Sequence, residues 1–160
     1  MRAYVTIFFV IAAFVVIYFI TQPRSEITLK DYEHSAITIA GTTVSVEIPL
    51  TKNSYKKGLG DRDELGEKSG ILFLCLTDPY PKFWMKGMKF PIDIIWIDEN
   101  FVVSDITRDV SVDSFPEYFM PSQQSEHVLE VNAGFIEEHS ISIGDRVYGL
   151  GGTPCALTLK

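Results

Sequence analysis

Residues 82–97 read KFWMKGMKFPIDIIWI, and this stretch contributes most to the fold assignment. Aromatic and β-branched residues, which favour strands, stand on both sides of a Gly and a Pro, which favour turns. The pattern predicts two strands joined by a broad turn at residues 87–91. If the strands pair about that turn, Lys86 and Asp93 lie close together, because the two positions are nearly equidistant from its centre.

On both sides of this hairpin, the hydropathy pattern has a period near two residues, which is typical of β-strands. Turn-forming residues recur about every ten residues, and polar and apolar residues alternate between them. Residues 36–48 predict a second hairpin, and Thr51 predicts the N-cap of a short helix that ends at Gly58 or Gly60. The other predicted elements are a strand buried on both faces at 70–76, strands at 101–106, 126–132 and 145–150, a loop at 113–125 and a helical turn or two at 133–139.

About seven strands with hardly any helix predict an all-β fold, a mostly antiparallel β-sandwich or barrel-like domain. The 160 residues are 46% hydrophobic, which suits one folded domain and excludes a disordered chain. The net charge is −7, with 14 basic and 21 acidic residues. Nucleic-acid binding requires clustered basic residues, so no nucleic-acid partner is expected.

The N-terminal run at residues 3–20 is apolar and uninterrupted. As a helix it spans about 27 Å, close to the roughly 30 Å of a bilayer core. We therefore expect a single transmembrane helix that contacts the membrane through residues 3–20. A cleavable signal peptide is the alternative; it usually has a shorter apolar core and small residues at its end, whereas this run ends in bulky ones.

Arg2 precedes the apolar run, which favours a cytoplasmic N-terminus and a C-terminal domain outside the cytoplasm. The expected location is thus the plasma membrane, with secretion after signal cleavage as the alternative. The expected organisation is an anchor at 1–22, a linker at 23–35, the β-domain at 36–150 and a tail at 151–160. Cys75 and Cys155 are compatible with a disulfide in such a domain or with two free thiols.

The order of several motifs resembles a known family, domain-of-unknown-function family 192, over roughly residues 43–148. The matching motifs are Gly58-Leu59 with Arg62, Gly70-Ile71-Leu72-Phe73, Phe83-Trp84-Met85-Lys86, Pro91-Ile92-Asp93-Ile94, Val128–Gly134 and Gly144-Asp145-Arg146-Val147. The resemblance implies a small bacterial or archaeal protein, often exported or anchored, with a mostly antiparallel β-sandwich and no established activity. The chain departs from the family pattern at Gly60-Asp61 and Gly87-Met88, where members more often carry Met-Phe and Asn-Thr.

Five residues are candidates for ligand binding: Arg62, Trp84, Lys86, Asp93 and Glu130. Lys86 and Asp93 are charges within an apolar hairpin, which indicates a structural ion pair or a lysine that acts as a base or an anion clamp. Trp84 is a candidate platform for a sugar or peptide, but aromatic residues also fill the ends of sandwiches. Because Trp84 and Met85 point to opposite faces of a strand, at least one of them should pack in the core.

No cofactor or metal is expected from the sequence. His34, His127 and His139 lack metal-ligand spacing, and phosphate-loop, nucleophile-elbow, dinucleotide and zinc-protease motifs are absent. Met85, Met88 and Met120 would suit copper(I), but methionines more often fill gaps in a core.

Two functions agree with these features. The first is a non-enzymatic, membrane-anchored, extracytoplasmic module that binds an unidentified envelope ligand or protein. The second is a small cell-envelope hydrolase that uses Asp93, Glu130 or Lys86 as its acid or base. General acid and base work by Asp93 and Glu130 requires the two carboxyls to share a cleft, which the sequence does not establish.

Overall fold

The computed structural model describes residues 31–150, and this part of the chain is mostly β-structure. The strands are β1 (Tyr32–Ile39), β2 (Thr42–Pro49), β3 (Ser69–Phe73), β4 (Ile92–Ile97), β5 (Val103–Val110) and β6 (His127–Asn132). Two short α-helices, α1 (Lys52–Lys57) and α2 (Phe135–Glu138), and a 3-10 turn at Val112–Ser114 accompany them.

The six strands form one mixed sheet in the order β1-β2-β3-β6-β4-β5. Only β2 and β3 are parallel neighbours among the described strands; the other pairings are antiparallel. The prediction of a mostly antiparallel β-domain with little helix is therefore confirmed. In place of the two packed layers of a sandwich, the structure has a single sheet.

The first hairpin, β1–β2, is confirmed and is longer than the sequence predicts. Ile39 pairs with Thr42 across a two-residue turn in which Ala40 and Gly41 both have positive φ, 47° and 76°. Such turns match the right-handed twist of paired strands, which explains the tight connection. β1 begins at Tyr32, four positions before the predicted start, because pairing with β2 continues to Pro49.

The predicted hairpin at 82–97 is wrong in its first half. Residues 92–97 form β4, but residues 82–86 are irregular and contain one bridge, between Phe83 and Phe119. The physical reason is that β5 and β6 already occupy the two sides of β4, so no hydrogen-bonding edge remains for a further strand.

The sheet carries an apolar cluster on each face. Along β4, Ile92, Ile94 and Trp96 belong to one cluster and Ile95 and Ile97 to the other, as the alternation of side chains in a strand requires. We call the side of Trp96 the cavity face. The opposite side, the helix face, packs against Phe135 and Ile136 of α2.

Residues 144–148, the clasp, hydrogen-bond to both outer parts of the sheet. The Val103 amide donates to the Asp145 carbonyl at 2.8 Å, and the Val147 amide donates to the Phe101 carbonyl at 2.8 Å. Thr38 on β1 and Tyr148 exchange two backbone hydrogen bonds of 2.9 Å. The predicted strand at 145–150 is thus replaced by isolated bridges that connect β1 with the start of β5.

Several predictions fall on residues outside the described range of 31–150. These include the membrane run at 3–20, most of the linker, the tail at 151–160 and Cys155. Within residues 31–150, no helix combines the length and apolar character needed to cross a bilayer. Cys75 is disulfide-bonded, and its amide donates to Nδ1 of His127 at 3.0 Å.

Candidate functional site

A cavity of about 360 Å³ opens on the cavity face of the sheet. Its wall is built from three separate parts of the chain: α1 with the residues that follow it, the segment 81–88, and the centre of the sheet. The lining residues that the site depends on are Tyr55, Lys56, Lys57, Phe73, Lys82, Phe83, Trp84, Lys86, Tyr118 and Glu130.

The inner wall of the cavity is a series of aromatic contacts. Phe73 on β3 meets Tyr55 of α1 edge-on, with ring centroids 5.0 Å apart, and meets Phe83 at 4.9 Å. Phe83 in turn contacts Trp96 of β4 at 5.7 Å. Edge-to-face packing is a favourable geometry for aromatic rings, so these contacts fix α1 and the segment 81–88 against the sheet.

Helix α1 is only six residues long and depends on its caps. The Ser54 amide donates to Oγ1 of Thr51 at 3.1 Å, and the Thr51 amide donates to Oγ of Ser54 at 3.0 Å, which completes a capping box. The Tyr55 hydroxyl donates to the Leu74 carbonyl at 3.3 Å. Burial raises the pKa of Tyr55, so its hydroxyl stays protonated at neutral pH.

Gly58 ends α1 and leaves space beside the floor of the cavity. Its φ is 54°, a left-handed conformation that glycine adopts without steric cost. A Cβ at this position would lie 3.5 Å from the Phe73 ring and 3.8 Å from Oε2 of Glu130. These are ordinary van der Waals distances, so the positive φ of Gly58, and not a lack of space, favours glycine here.

Glu130 is the one acidic residue in the cavity wall. It lies in the middle of β6 between Ile71 and Ile94 of the neighbouring strands, and its side chain is only 5% exposed. Within residues 31–150, no hydrogen bond or ion pair holds its carboxyl. Burial raises the pKa of Glu130 to about 8, and the positive charge of Arg62 only partly opposes this rise. Glu130 is therefore mostly protonated at neutral pH.

Four exposed lysines, which we call the rim lysines, line the same cavity: Lys56, Lys57, Lys82 and Lys86. Nζ of Lys86 lies 5.5 Å from the centre of the Trp84 ring, a cation–π contact. Lys57 also approaches Asp61 at 3.8 Å, but both side chains are more than half exposed, so this pair contributes little.

Trp84 lies at the mouth of the cavity and is half-buried. Its ring stacks on Tyr118 at 5.5 Å with an interplanar angle of 23°, and it meets Phe115 edge-on at 5.8 Å. Met85, the next residue, is 2% exposed and belongs to the core. This confirms the prediction that at least one of Trp84 and Met85 packs inside.

Arg62 lies next to the cavity but does not line it. Its guanidinium donates to both carboxylate oxygens of Glu47 on β2, at 2.8 and 2.6 Å, and lies over the Tyr32 ring at 5.5 Å. The hydrogen bonds to Arg62 lower the pKa of Glu47. This bidentate pair fixes the segment after α1 to the sheet.

Asp93 is on the helix face, away from the other candidates. It pairs across the sheet with Val131, whereas Ile94 pairs with Glu130, so the carboxyls of Asp93 and Glu130 point to opposite faces. The fully buried Asp93 carboxylate accepts hydrogen bonds from the amides of Asp109 at 2.9 Å and Ile136 at 3.0 Å. The predicted pairing of Asp93 with Lys86 is therefore wrong, and Asp93 positions α2.

The structure unites three of the five candidates, Trp84, Lys86 and Glu130, in one cavity. Sequence reasoning did not find Lys56, Lys57 or Lys82. Lys82 and Lys86 flank the Phe-Trp-Met motif, and the Lys56-Lys57 pair precedes Gly58, but nothing in the sequence shows that these two segments meet.

His127 is a structural residue. Its Nδ1 accepts the Cys75 amide, and its ring stacks on Phe101 at 4.6 Å. Burial lowers the pKa of His127 to about 4, so the imidazole is neutral at physiological pH. Across residues 31–150, no group of three or more His, Cys, Asp or Glu residues is arranged to hold a metal ion.

The solved structures that resemble this fold include two from bacteria. A proposed transcription regulator from Sinorhizobium meliloti 1021 superposes with a TM-score of 0.69 at 24% identity, over 77% of this chain and 98% of that chain. A protein of unknown function from Novosphingobium aromaticivorans DSM 12444 has a TM-score of 0.63 at 28% identity, over 72% of this chain and 84% of that one. No curated protein matches the chain significantly.

The family comparison agrees with the resemblance seen in the motifs. The model of the family DUF192, described as an uncharacterized ACR, matches residues 35–149. The match contains nearly all of the described fold, including α1, the segment 81–88 and Glu130. The chain therefore belongs to the DUF192 family.

Proposed function

We propose that this protein is a membrane-anchored, extracytoplasmic binding domain whose cavity takes a small organic ligand. The observation that carries the proposal is the carboxyl of Glu130, which is 5% exposed and has no hydrogen-bond partner within residues 31–150. Among residues 31–150, every fully buried side-chain polar atom has a hydrogen-bond partner, so the Glu130 carboxyl is not sealed in the core but reaches the cavity that it lines. A ligand in the cavity would supply that partner.

The shape of the cavity supports this proposal. A volume of about 360 Å³ falls within the range of roughly 300–1,000 Å³ that is typical of small-molecule sites. The aromatic contacts of Phe73 and Phe83 hold the wall in place, so a ligand would meet a largely formed site. Preformed sites bind better because little ordering remains to be done on binding.

The membrane anchor in this proposal rests on the sequence. The apolar run at 3–20 has the length of a single transmembrane helix, and Arg2 before it favours an external position for the domain.

A thermal-shift screen of the full chain in phosphatidylcholine nanodiscs tests the proposal. The library holds small organic acids, saccharides and short peptides. Compounds that bind in the cavity should raise the Tm of the wild type, by linkage, and should lose this effect in Trp84→Ala. Tyr148→Ala is the matched control, because Tyr148 is an exposed aromatic outside the cavity. A library without stabilising compounds, or with compounds that act equally on Trp84→Ala, would contradict the proposal.

A hydrolase is a second candidate, and the protonated Glu130 favours it. A general acid must hold its proton at the working pH, and burial gives Glu130 this property. Lys86 lines the same cavity, but Asp93 lies on the other face and takes no part. Turnover of nitrophenyl esters or glycosides that disappears in Glu130→Gln would support this function. No turnover on either substrate class would count against it.

A further inference from the structure

We infer that the ligand is a small organic anion, with its anionic group between Glu130 and the rim lysines and its apolar body against the aromatic wall. This inference rests on the proposed function and adds the chemical class of the ligand. It follows from the charges around the cavity, the state of Glu130 and the composition of the wall.

The charge around the cavity is opposite to that of the whole chain. The sequence has 21 acidic and 14 basic residues, yet the cavity is lined by four lysines and one glutamate. Within residues 31–150, Lys56, Lys82 and Lys86 form no ion pair, so their charges are available to a ligand. Such a local positive potential attracts anions and repels cations.

Glu130 fits an anion only in its protonated form. The neutral carboxyl donates its O–H to an anionic oxygen, and such charge-assisted hydrogen bonds are short and strong. An ionised Glu130 would repel the same oxygen. Arg62, in its pair with Glu47, is the charged group that acts on Glu130. The other titratable groups that line the cavity with Glu130 are Tyr55, Lys56 and Lys57 of α1, Lys82 and Lys86 of the segment 81–88, and Tyr118.

The remainder of the ligand must be apolar. Between the rim and Glu130 the wall consists mainly of Phe73, Phe83 and Trp84, with Leu59 and Leu76 beside them. A flat or aliphatic body buries apolar surface there, at roughly 25 cal/mol per Å². A fully polar anion such as inorganic phosphate would leave this wall uncovered.

Three probes with the same apolar body separate charge from shape: 2-naphthoate, 2-naphthamide and 2-naphthylmethylammonium. Each is titrated by calorimetry into the full chain in phosphatidylcholine nanodiscs, with empty nanodiscs as the blank. We expect 2-naphthoate to bind at least about tenfold more tightly than the amide at neutral pH, and the cation to bind most weakly.

Lysine variants locate the source of this preference. Lys86→Met keeps most of the aliphatic side chain but removes its charge. The ratio of the affinity for 2-naphthoate to that for 2-naphthamide should therefore fall by about threefold to fivefold. Lys89→Met is the matched control. Lys89 comes directly after the segment 81–88, but it pairs with Asp63 at 2.6 Å and does not line the cavity. The control should bind like the wild type.

The pH profile tests the contact with Glu130. Naphthoate affinity of the wild type should fall as the pH rises through about 8, because Glu130 then ionises. Glu130→Gln keeps a hydrogen-bond donor without a titrating group, so its affinity should stay level over the same range.

Each remaining outcome overturns the inference in a distinguishable way. If the amide or the cation binds as tightly as 2-naphthoate or more tightly, the preference for an anion is overturned. If that binding is still lost in Trp84→Ala, the proposed binding function stands. Absence of binding by all three probes also overturns the inference, and the library screen then decides the proposed function separately.

Discussion

Glu130 and Asp93 show how one residue position in a strand decides the role of a buried carboxyl. Asp93 faces the helix side, where two backbone amides donate hydrogen bonds to it. Glu130 faces the cavity, where apolar neighbours disfavour its charge. The two carboxyls come from adjacent strands, yet one has a structural role and the other lines the cavity.

The raised pKa of Glu130 predicts a loss of stability at high pH. Its value rises from 4.5 to about 8 on folding, so the folded state holds this proton more tightly than the unfolded state. The contribution of Glu130 to stability is fully present below about pH 4.5 and is lost as the pH rises through about 8. Glu130→Gln removes this dependence and should be more stable than wild type at high pH, by up to roughly 5 kcal/mol. Urea unfolding of both proteins from acid to alkaline pH measures the difference, and a constant difference would contradict the assignment.

The two tryptophans should differ in their effect on the free energy of unfolding. Trp96 is 0% exposed, and its indole donates to Thr107 at 2.9 Å, so Trp96→Ala should cost about 3–5 kcal/mol. Trp84 is half-buried at the mouth of the cavity, and Trp84→Ala should cost about 2 kcal/mol, below the full core value. Chemical denaturation of the two variants checks this order. Equal losses would show that Trp84 is a core residue.

A double-mutant cycle checks that Lys86 and Asp93 act independently. Asp93→Leu leaves the amides of Asp109 and Ile136 without an acceptor and should cost about 2–5 kcal/mol, since each unsatisfied buried donor costs about 1–3 kcal/mol. Lys86 is exposed, so Lys86→Met should change stability by less than about 0.5 kcal/mol. The two effects should add, because the groups do not touch. A coupling free energy above about 1 kcal/mol would show that Lys86 and Asp93 interact, as the sequence predicts.

At the scale of elements, the site depends on two pieces that have little structure of their own. Helix α1 has six residues, too few to be stable alone, and the segment 81–88 has a single bridge to Phe119. Both are held by aromatic packing against the sheet and by the caps of α1. A substitution that removes a cap of α1 should therefore also alter the shape of the cavity.

The N-cap of α1 offers a direct test. Thr51→Ala removes the acceptor of the Ser54 amide and should cost about 1 kcal/mol. It should also weaken ligand binding, because Lys56 and Lys57 lose their fixed positions at the cavity. Thr51→Ser keeps the hydroxyl and serves as the control. Full binding by Thr51→Ala would show that the cavity does not need an ordered α1.

The sequence predicted the elements that local signals determine. The β1–β2 hairpin, the cap at Thr51, the buried β3 and the helical turn at α2 were all readable from turn residues, capping residues or runs of apolar residues. The parallel pairing of β2 with β3 and the insertion of β6 between β3 and β4 were not, because they depend on contacts between distant positions. For the same reason the sequence supplied Trp84, Lys86 and Glu130 as candidates but not the cavity that unites them.

At the scale of the whole molecule, the two faces of the sheet differ in what covers them. Its helix face is closed by α2 and the apolar residues packed there, whereas the cavity face is open to solvent beside Trp84. The charges of the cavity rim also differ in sign from the net charge of −7. In the proposed function, the orientation of the domain relative to the membrane would decide whether a ligand can reach the open cavity face.

The proposed orientation predicts the result of protease protection. In intact cells or spheroplasts, added protease should digest the β-domain while the undigested full-length protein sediments with membranes, because the run at 3–20 anchors it and the domain lies outside. A cytoplasmic protein serves as the control for intact membranes. Recovery of a protected protein in the cytosolic fraction would contradict both anchoring and topology.

The clasp at residues 144–148 also constrains the order in which the domain folds. It follows the six strands described between residues 31 and 150, yet it pairs with Thr38 near the beginning of the fold and with Phe101 and Val103 in the middle. While the domain folds, these backbone groups on β1 and at the start of β5 remain without their final partners until residues 144–148 have paired with them. Strand edges in this state attract other chains. The domain thus keeps two strand edges open to other chains until its last bridge forms.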